Sequence, residues 1–285
     1  MLIRVISGII ALAILVALLL LPPYVLAILV LAVSIIGLIE FSNAMKHKDI
    51  HVDLVSSIIA AIAIVGRAYG VTLPKELFPH LSRIFSRVFA SEYLNAIVYL
   101  AIAYFFCKVI FEKGRFKLED MAFTMLGIVY IPFLMSFAVS VRNLDRGFEY
   151  VWLIVIGSIV TDTFAYFTGV TMGKTKIIPH ISPKKTVEGS IGGAIGCMLT
   201  MILYGKIIMN QPGIEPIPIY HLAILGILCG VVSQLGDWAA SAIKRDTGIK
   251  DFGKLIPGHG GIMDRIDSII FISPLVYIYV CIFLW

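Results

Sequence analysis

The chain has 285 residues, of which 59% are apolar and 14% charged, with a net charge of +5 and a mean hydropathy of +0.97. An apolar share so far above the roughly 45–50% of soluble chains excludes a soluble globule, a disordered chain and a collagen-like fibre. The four cysteines, Cys107, Cys197, Cys229 and Cys281, stand far apart inside apolar runs. They form no CxxC pair or metal spacing, so they read as small packing residues and exclude a disulfide scaffold. No nucleic-acid signature is present, and nucleic acid is not an expected partner. What remains is an all-α fold, a polytopic integral membrane helical bundle whose core is made by packing spans together.

At about 20 apolar residues per span, the chain divides into nine stretches. Five fall in an N-terminal region, 1–145: Val5 to Leu21, Tyr24 to Glu40, Leu54 to Tyr69, Tyr93 to Phe111 and Met121 to Val141. Four fall in a C-terminal region, 146–285: Tyr150 to Gly169, Val187 to Met209, Ile219 to Ile243 and Ile266 to Trp285. The first is long, lacks a small-residue cleavage site and is followed by another span directly after Pro22-Pro23, so it reads as a membrane helix rather than a signal peptide.

Lys and Arg orient the layout. With the N-terminus in the cytoplasm, 16 of the 23 basic residues fall on the cytoplasmic side, in segments around Arg4, Lys46, Lys113, Lys184 and Lys250. The other side holds 7: Arg67, Lys75, Arg83, Arg87, Arg142, Arg146 and Lys206. Positive-inside bias therefore predicts N-in and C-out. Between Pro74 and Ala90, Arg83 and Arg87 lie four apart among Leu81, Ile84, Phe85, Val88 and Phe89, the pattern of an amphipathic helix on the outer surface.

The unexplained polarity lies in the second half. The span from Tyr150 carries Ser158, Thr161, Asp162, Thr163 and Tyr166, and the span from Ile219 carries Ser233, Gln234, Asp237 and Ser241. An ionised group inside a span costs about 2.5–3.5 kcal/mol even on the lenient insertion scale, so each needs a partner or a wet cavity. Helical spacing puts Ser233, Asp237, Ser241 and Lys244 on one stripe with Gln234 beside it. Either an interhelical hydrogen bond or ion pair, or a functional site, accounts for that stripe.

Two loops predicted to be cytoplasmic hold the rest. The first runs from Gly173 through Ser182-Pro183-Lys184-Lys185-Thr186 to Gly189. Its lysines serve as a positive-inside anchor or an anion site, with Thr186 capping the helix that follows. Gly189, Gly192, Gly193 and Gly196 share one helical face, a spacing that favours close helix packing over phosphate binding. The second loop, Lys244 to Ser268, contains five glycines that let the backbone approach a ligand. Its basic residues, Arg245, Lys250 and Arg265 among them, can hold phosphates and His259 can donate to one, with Asp251, Gly260 and Gly261 as further substrate-binding candidates. Asp264 and Asp267 share a helix face, and hard oxygens of this kind suit Mg²⁺ with substrate phosphate and water. Taken singly, each acid is also a helix-start dipole partner and His259 or Arg265 a solvated loop residue.

These residues resemble the phosphatidate cytidylyltransferases, or CDP-diacylglycerol synthases. The resemblance rests on Ser241, Lys244, Arg245, Lys250, Asp251, Pro257, Gly258, His259, Gly260, Gly261, Asp264, Arg265 and Asp267, which fit the family signature without departure. Upstream, Asp162 to Gly169 and Ser182 to Gly189 look like its other shared segments. The likeness covers about Asp162 to Ser268, and the first half shares only its character as a bundle of spans. It implies transfer of the cytidylyl group of CTP to phosphatidate, giving CDP-diacylglycerol and pyrophosphate, with Mg²⁺ required, at a site facing the cytoplasm from the inner membrane, in a homodimer. On that reading Asp237 and Asp264 hold Mg²⁺, with Asp267 as a further or supporting ligand and a second cation allowed. Lys184, Lys185, Lys244, Arg245 and Arg265 hold the triphosphate and the lipid phosphate, in a polar cavity that also includes Ser182, Thr186 and Asp162. Two alternatives use similar residues: a CTP-dependent polyprenol or phytol-type lipid kinase, and a cation-coupled transporter in which Asp162 and Asp237 carry the ion.

Overall fold

The computed structural model describes residues 16–17, 19–70, 91–112, 114–211, 213, 215–255 and 260–284, without the side chains of 91–94. Most of the first expected span, the surface helix expected at Pro74 to Ala90, and His259 lie outside these residues. The described residues are helical, with no strand and one antiparallel bridge, between Lys176 and Thr186. The helices are α1 (Pro23–Met45), α2 (Leu54–Gly70), α3 (Ser91–Phe111), α4 (Leu118–Arg142), α5 (Gly147–Met172), α6 (Val187–Met209), α7 (Ile219–Asp246) and α8 (Met263–Phe283). Six of them, α1 and α4 to α8, are long and apolar enough to cross a membrane, while α2 and the Asn95–Phe111 part of α3 are shorter. Of the nine expected stretches, six are thus full-length candidate spans among the described residues, two correspond to the shorter α2 and α3, and the first lies mostly outside them.

Local chemistry sets the breaks. Pro22 precedes α1 and Pro23 opens it, where a missing N–H costs nothing. Pro132 cannot donate to the helix ladder, and α4 passes through a π turn at Val129–Phe133 around it. Thr186 caps α6, its Oγ1 accepting from the Gly189 N–H at 3.2 Å. Outward side chains such as Ile28, Val170, Leu203 and Ile282 are more than half exposed, as a lipid-facing belt requires.

The helices α5, α6 and α7 pack side by side, with α8 across α7 and α5. The α6 glycines make this approach possible: a Cβ on Gly192 would fall 2.3 Å from Thr168 Oγ1, and one on Gly193 2.9 Å from the Thr161 carbonyl of α5. On the other side, a Cβ on Gly226 of α7 would fall 2.5 Å from Met198 Cα. The glycine face thus serves helix packing. In the first half, α1, α2 and α4 pack together, and α8 also contacts α4 and α1.

Candidate active site

At the end of the bundle where both polar loops lie, acids from three helices meet lysines from a loop and a helix. Asp237 of α7 is in ion-pair contact with Lys185 from the loop before α6, and Ser241 Oγ donates to it from one turn on, at 3.5 Å. Lys244, at the end of α7, donates to Asp264 Oδ1 of α8 at 2.7 Å, with both side chains nearly buried. The other Asp264 oxygen accepts the N–H of Phe252 at 2.9 Å and of Gly261 at 3.0 Å, so this one carboxylate also shapes the glycine-rich loop. Asp267, a turn later and buried, accepts the Ser268 N–H at 2.8 Å.

Asp162 of α5 lies within electrostatic reach of Lys185, Arg265 and Asp267. Lys185 in turn feels Asp162, Asp267 and Lys244, and its ammonium stands 6.0 Å from the centre of the Trp238 ring. Burial holds Lys185 below the ordinary lysine range, against the pull of Asp162 and Asp267. An ammonium that is incompletely stabilised by water is a receptive partner for an incoming polyanion.

The remaining residues singled out in the sequence shape the loops or line their surface. The Ser182 carbonyl accepts the Lys185 N–H, and Glu188 accepts the amides of Lys174 and Thr175, folding the first loop back on α6. Arg245 ties the two loops together, Nε donating to the Ile181 carbonyl at 3.2 Å and Nη1 to the Ile249 carbonyl at 3.4 Å. Lys184 is exposed. Lys250 and Asp251 are exposed too, and line a cavity of ≈ 400 Å³ with Asn43, His47, Phe252 and Lys254. Gly260 takes a φ of 86°, and a Cβ there would fall 2.8 Å from Asp264 Oδ2. Within the polar stripe of α7, Gln234 is spent on the carbonyls of Ser190 and Gly230, and the Ser233 carbonyl accepts from Ser268. The structure therefore brings Asp162, Asp237, Asp264, Asp267, Lys185, Lys244 and Arg265 into one cluster and sets Lys184, Lys250 and Asp251 outside it.

Two further residues reach this end of the molecule from the first half. Glu40 of α1 accepts the Ile262 N–H at 3.0 Å and the Met263 N–H at 2.9 Å. Tyr130, in the π turn of α4, is buried within electrostatic reach of Asp267, with its hydroxyl unpartnered. The sequence showed Glu40 only as the end of an apolar run.

Among the described residues no three His, Cys, Asp or Glu side chains stand close enough to hold a metal ion by themselves. The donor chemistry still fits a magnesium-type ion, which takes one or two carboxylates and fills its remaining positions with substrate phosphate and water. Asp237 and Asp264 each already hold a cation, in the form of a lysine ammonium.

Apolar helices long enough to span a bilayer, with carboxylates and ammonium groups gathered at one end, define a multi-pass membrane protein with a charged cluster. The chain belongs to the cytidylyltransferase family, whose model matches residues 2–283. It is similar to a protein named phosphatidate cytidylyltransferase from Staphylococcus haemolyticus, at 32% identity over 279 residues and 97% of each chain. A protein of the same name from Bacillus subtilis is 34% identical over 188 residues, covering 66% of this chain and 68% of the relative. Another, from Thermotoga maritima, is 36% identical over 160 residues, covering 56% and 59%.

Proposed function

We propose that the chain joins CTP to phosphatidate, releasing pyrophosphate and leaving CDP-diacylglycerol in the membrane. A phosphate oxygen of phosphatidate bonds to the α-phosphorus of CTP, and the oxygen bridging the α- and β-phosphates leaves with pyrophosphate. The lipid phosphate is already ionised, so no strong general base is needed; holding two polyanions together against their repulsion is the larger task. The observation that carries this reading is the pairing of Lys185 with Asp237 and Lys244 with Asp264. Each lysine is held beside an acid it exchanges for phosphate when substrate arrives, and Arg265 adds a third positive group.

Asp237 and Asp264 would supply the one or two carboxylates of a Mg²⁺ site whose other positions go to substrate phosphate and water. Asp267 is a supporting acid outside any three-carboxylate cage, and a second cation is allowed. The bound ion supplies charge neutralisation for the triphosphate. Arg245 keeps the two loops in register over the site, while Ser182 and Thr186 fix the turn that presents Lys185. The site faces the cytoplasm of an inner membrane, where CTP is available, and phosphatidate enters from the bilayer. The assembly is a homodimer without a nucleic-acid partner.

The test is Mg²⁺-dependent pyrophosphate release from CTP by the purified protein. Release should occur only with phosphatidate present, and α-phosphate label should enter the lipid. Label entering lipid from the γ-position instead would establish a lipid kinase, and ion transport without turnover would overturn the enzyme reading.

A further inference from the structure

We infer that Glu40 is a positioning residue of the active site, through which the N-terminal helices hold the glycine-rich loop and the start of α8 in working register. Its two carboxylate oxygens divide between consecutive amides, Ile262 and Met263, at 3.0 and 2.9 Å. Asp264 takes the preceding amide, that of Gly261, at 3.0 Å. Three successive N–H groups, those of the cap Ile262, the first helical residue Met263 and Gly261 just before them, are thus bound by two carboxylates, one supplied from more than 200 residues away. Among the described residues no ion pair reaches Glu40, which is only 7% exposed. Its charge is met by these amides and the positive end of α8.

The loop glycines are shaped around this side chain. A Cβ on Gly253 would fall 2.3 Å from Glu40 Oε1, and one on Gly261 would fall 2.5 Å from both Glu40 oxygens. The same loop therefore closes on Glu40 from one side and on Asp264 from the other, because Phe252 and Gly261 donate to Asp264. Gly37, one turn before Glu40, lies close to Met263: a Cβ there would fall 3.1 Å from Met263 Sδ. Displacing Glu40 would release the amides beside Asp264 and so move the carboxylate that the proposed reaction depends on. A misplacement of about 1 Å in such a group is enough to cost about 100-fold in rate.

This inference rests on the proposed reaction for its kinetic arm only. Glu40→Gln keeps the shape but places an amide NH₂ against a backbone donor; Gly253→Ala leaves Glu40 intact and pushes on it. In the full-length protein in detergent, both variants should speed hydrogen exchange at the amides of 261–263. They should lower kcat about 100-fold while KM for CTP changes less than about threefold. Glu40→Asp, one methylene shorter, should restore part of the protection and part of kcat. Exchange at 261–263 unchanged in both variants, or kcat unchanged with exchange increased, overturns the inference. So does a loss confined to KM. If the unmodified protein shows no turnover, the proposed reaction fails, and the exchange arm alone decides the role of Glu40.

Discussion

Neutralising Asp237 and Asp264 should have similar consequences for turnover and very different ones for stability. Asp264 has its side chain 4% exposed and meets Lys244 and two backbone amides. In Asp264→Asn the amides keep a carbonyl oxygen but lose the charge-assisted part of two hydrogen bonds, about 1 kcal/mol each. Lys244, with its side chain 12% exposed, loses its carboxylate, which adds about 2 kcal/mol once its route to water is allowed for. The total of about 4 kcal/mol corresponds to a fall in Tm of about 10 °C for a chain of this size. Asp237 and Lys185 have side chains 24% and 27% exposed, so Asp237→Asn should cost about 1 kcal/mol or less. On the proposed reaction both variants should lower turnover at least about 100-fold, because each would remove a group that holds charge beside the reacting phosphates. Thermal unfolding followed by tryptophan fluorescence, beside a phosphatidate-dependent pyrophosphate assay, reads both quantities. Equal Tm losses, or near-normal turnover in either variant, refutes the reasoning.

Other outcomes follow from features away from this pair. Burial raises the pKa of Asp53, but the Lys108 hydrogen bond and charge, the Ser56 amide and the Tyr104 hydroxyl outweigh it and leave the carboxyl below its ordinary range. A depressed carboxylate contributes stability above its unfolded pKa of about 3.9 and loses it as pH falls through the lower folded value. Asp53→Asn should therefore lower stability by about 1–2 kcal/mol at pH 7, with the gap to the unmodified protein closing below about pH 4 in denaturation curves. Gly226→Ala should drive a methyl against the α6 backbone and destabilise by about 1–3 kcal/mol, measured as a lower Tm with KM for CTP unchanged. Chelation with EDTA should abolish turnover, and Mg²⁺ should restore it. Tm should move little, because the Lys244–Asp264 bond does not depend on the ion.

Much of this was legible in residue order. Hydropathy located α1 to α8, since lipid imposes long apolar runs whatever their packing. Polarity inside spans pointed to Asp162 and Asp237, because ionised groups there need company, and the glycine-rich loop pointed to Asp264 and Asp267 on one helix face. The Thr186 cap and the packing role of the α6 glycines follow from local rules and appear as read. Long-range partners were not legible. Glu40 looked like the end of a span, although α1 continues to Met45, and only the fold shows that it meets Ile262 and Met263. Arg245 looked like a phosphate ligand, and nothing local reveals that it ties Ile181 to Ile249. Tyr130 depends on a π turn at Pro132 that hydropathy passes over.

The glycine seams on both faces of α6 have a mechanical result. Towards α5 the α6 glycines close on the Thr161 carbonyl and on the Thr168 and Phe164 side chains, and towards α7 Gly226 and Gly230 close on the backbone of Met198 and Ala194, so both seams leave little room for sliding. Asp162 and Asp237 thus sit on helices that both pack closely on α6. Lys185 and Lys244 reach the centre on long side chains from the edge of that packed region, so they are the groups with room to change partner.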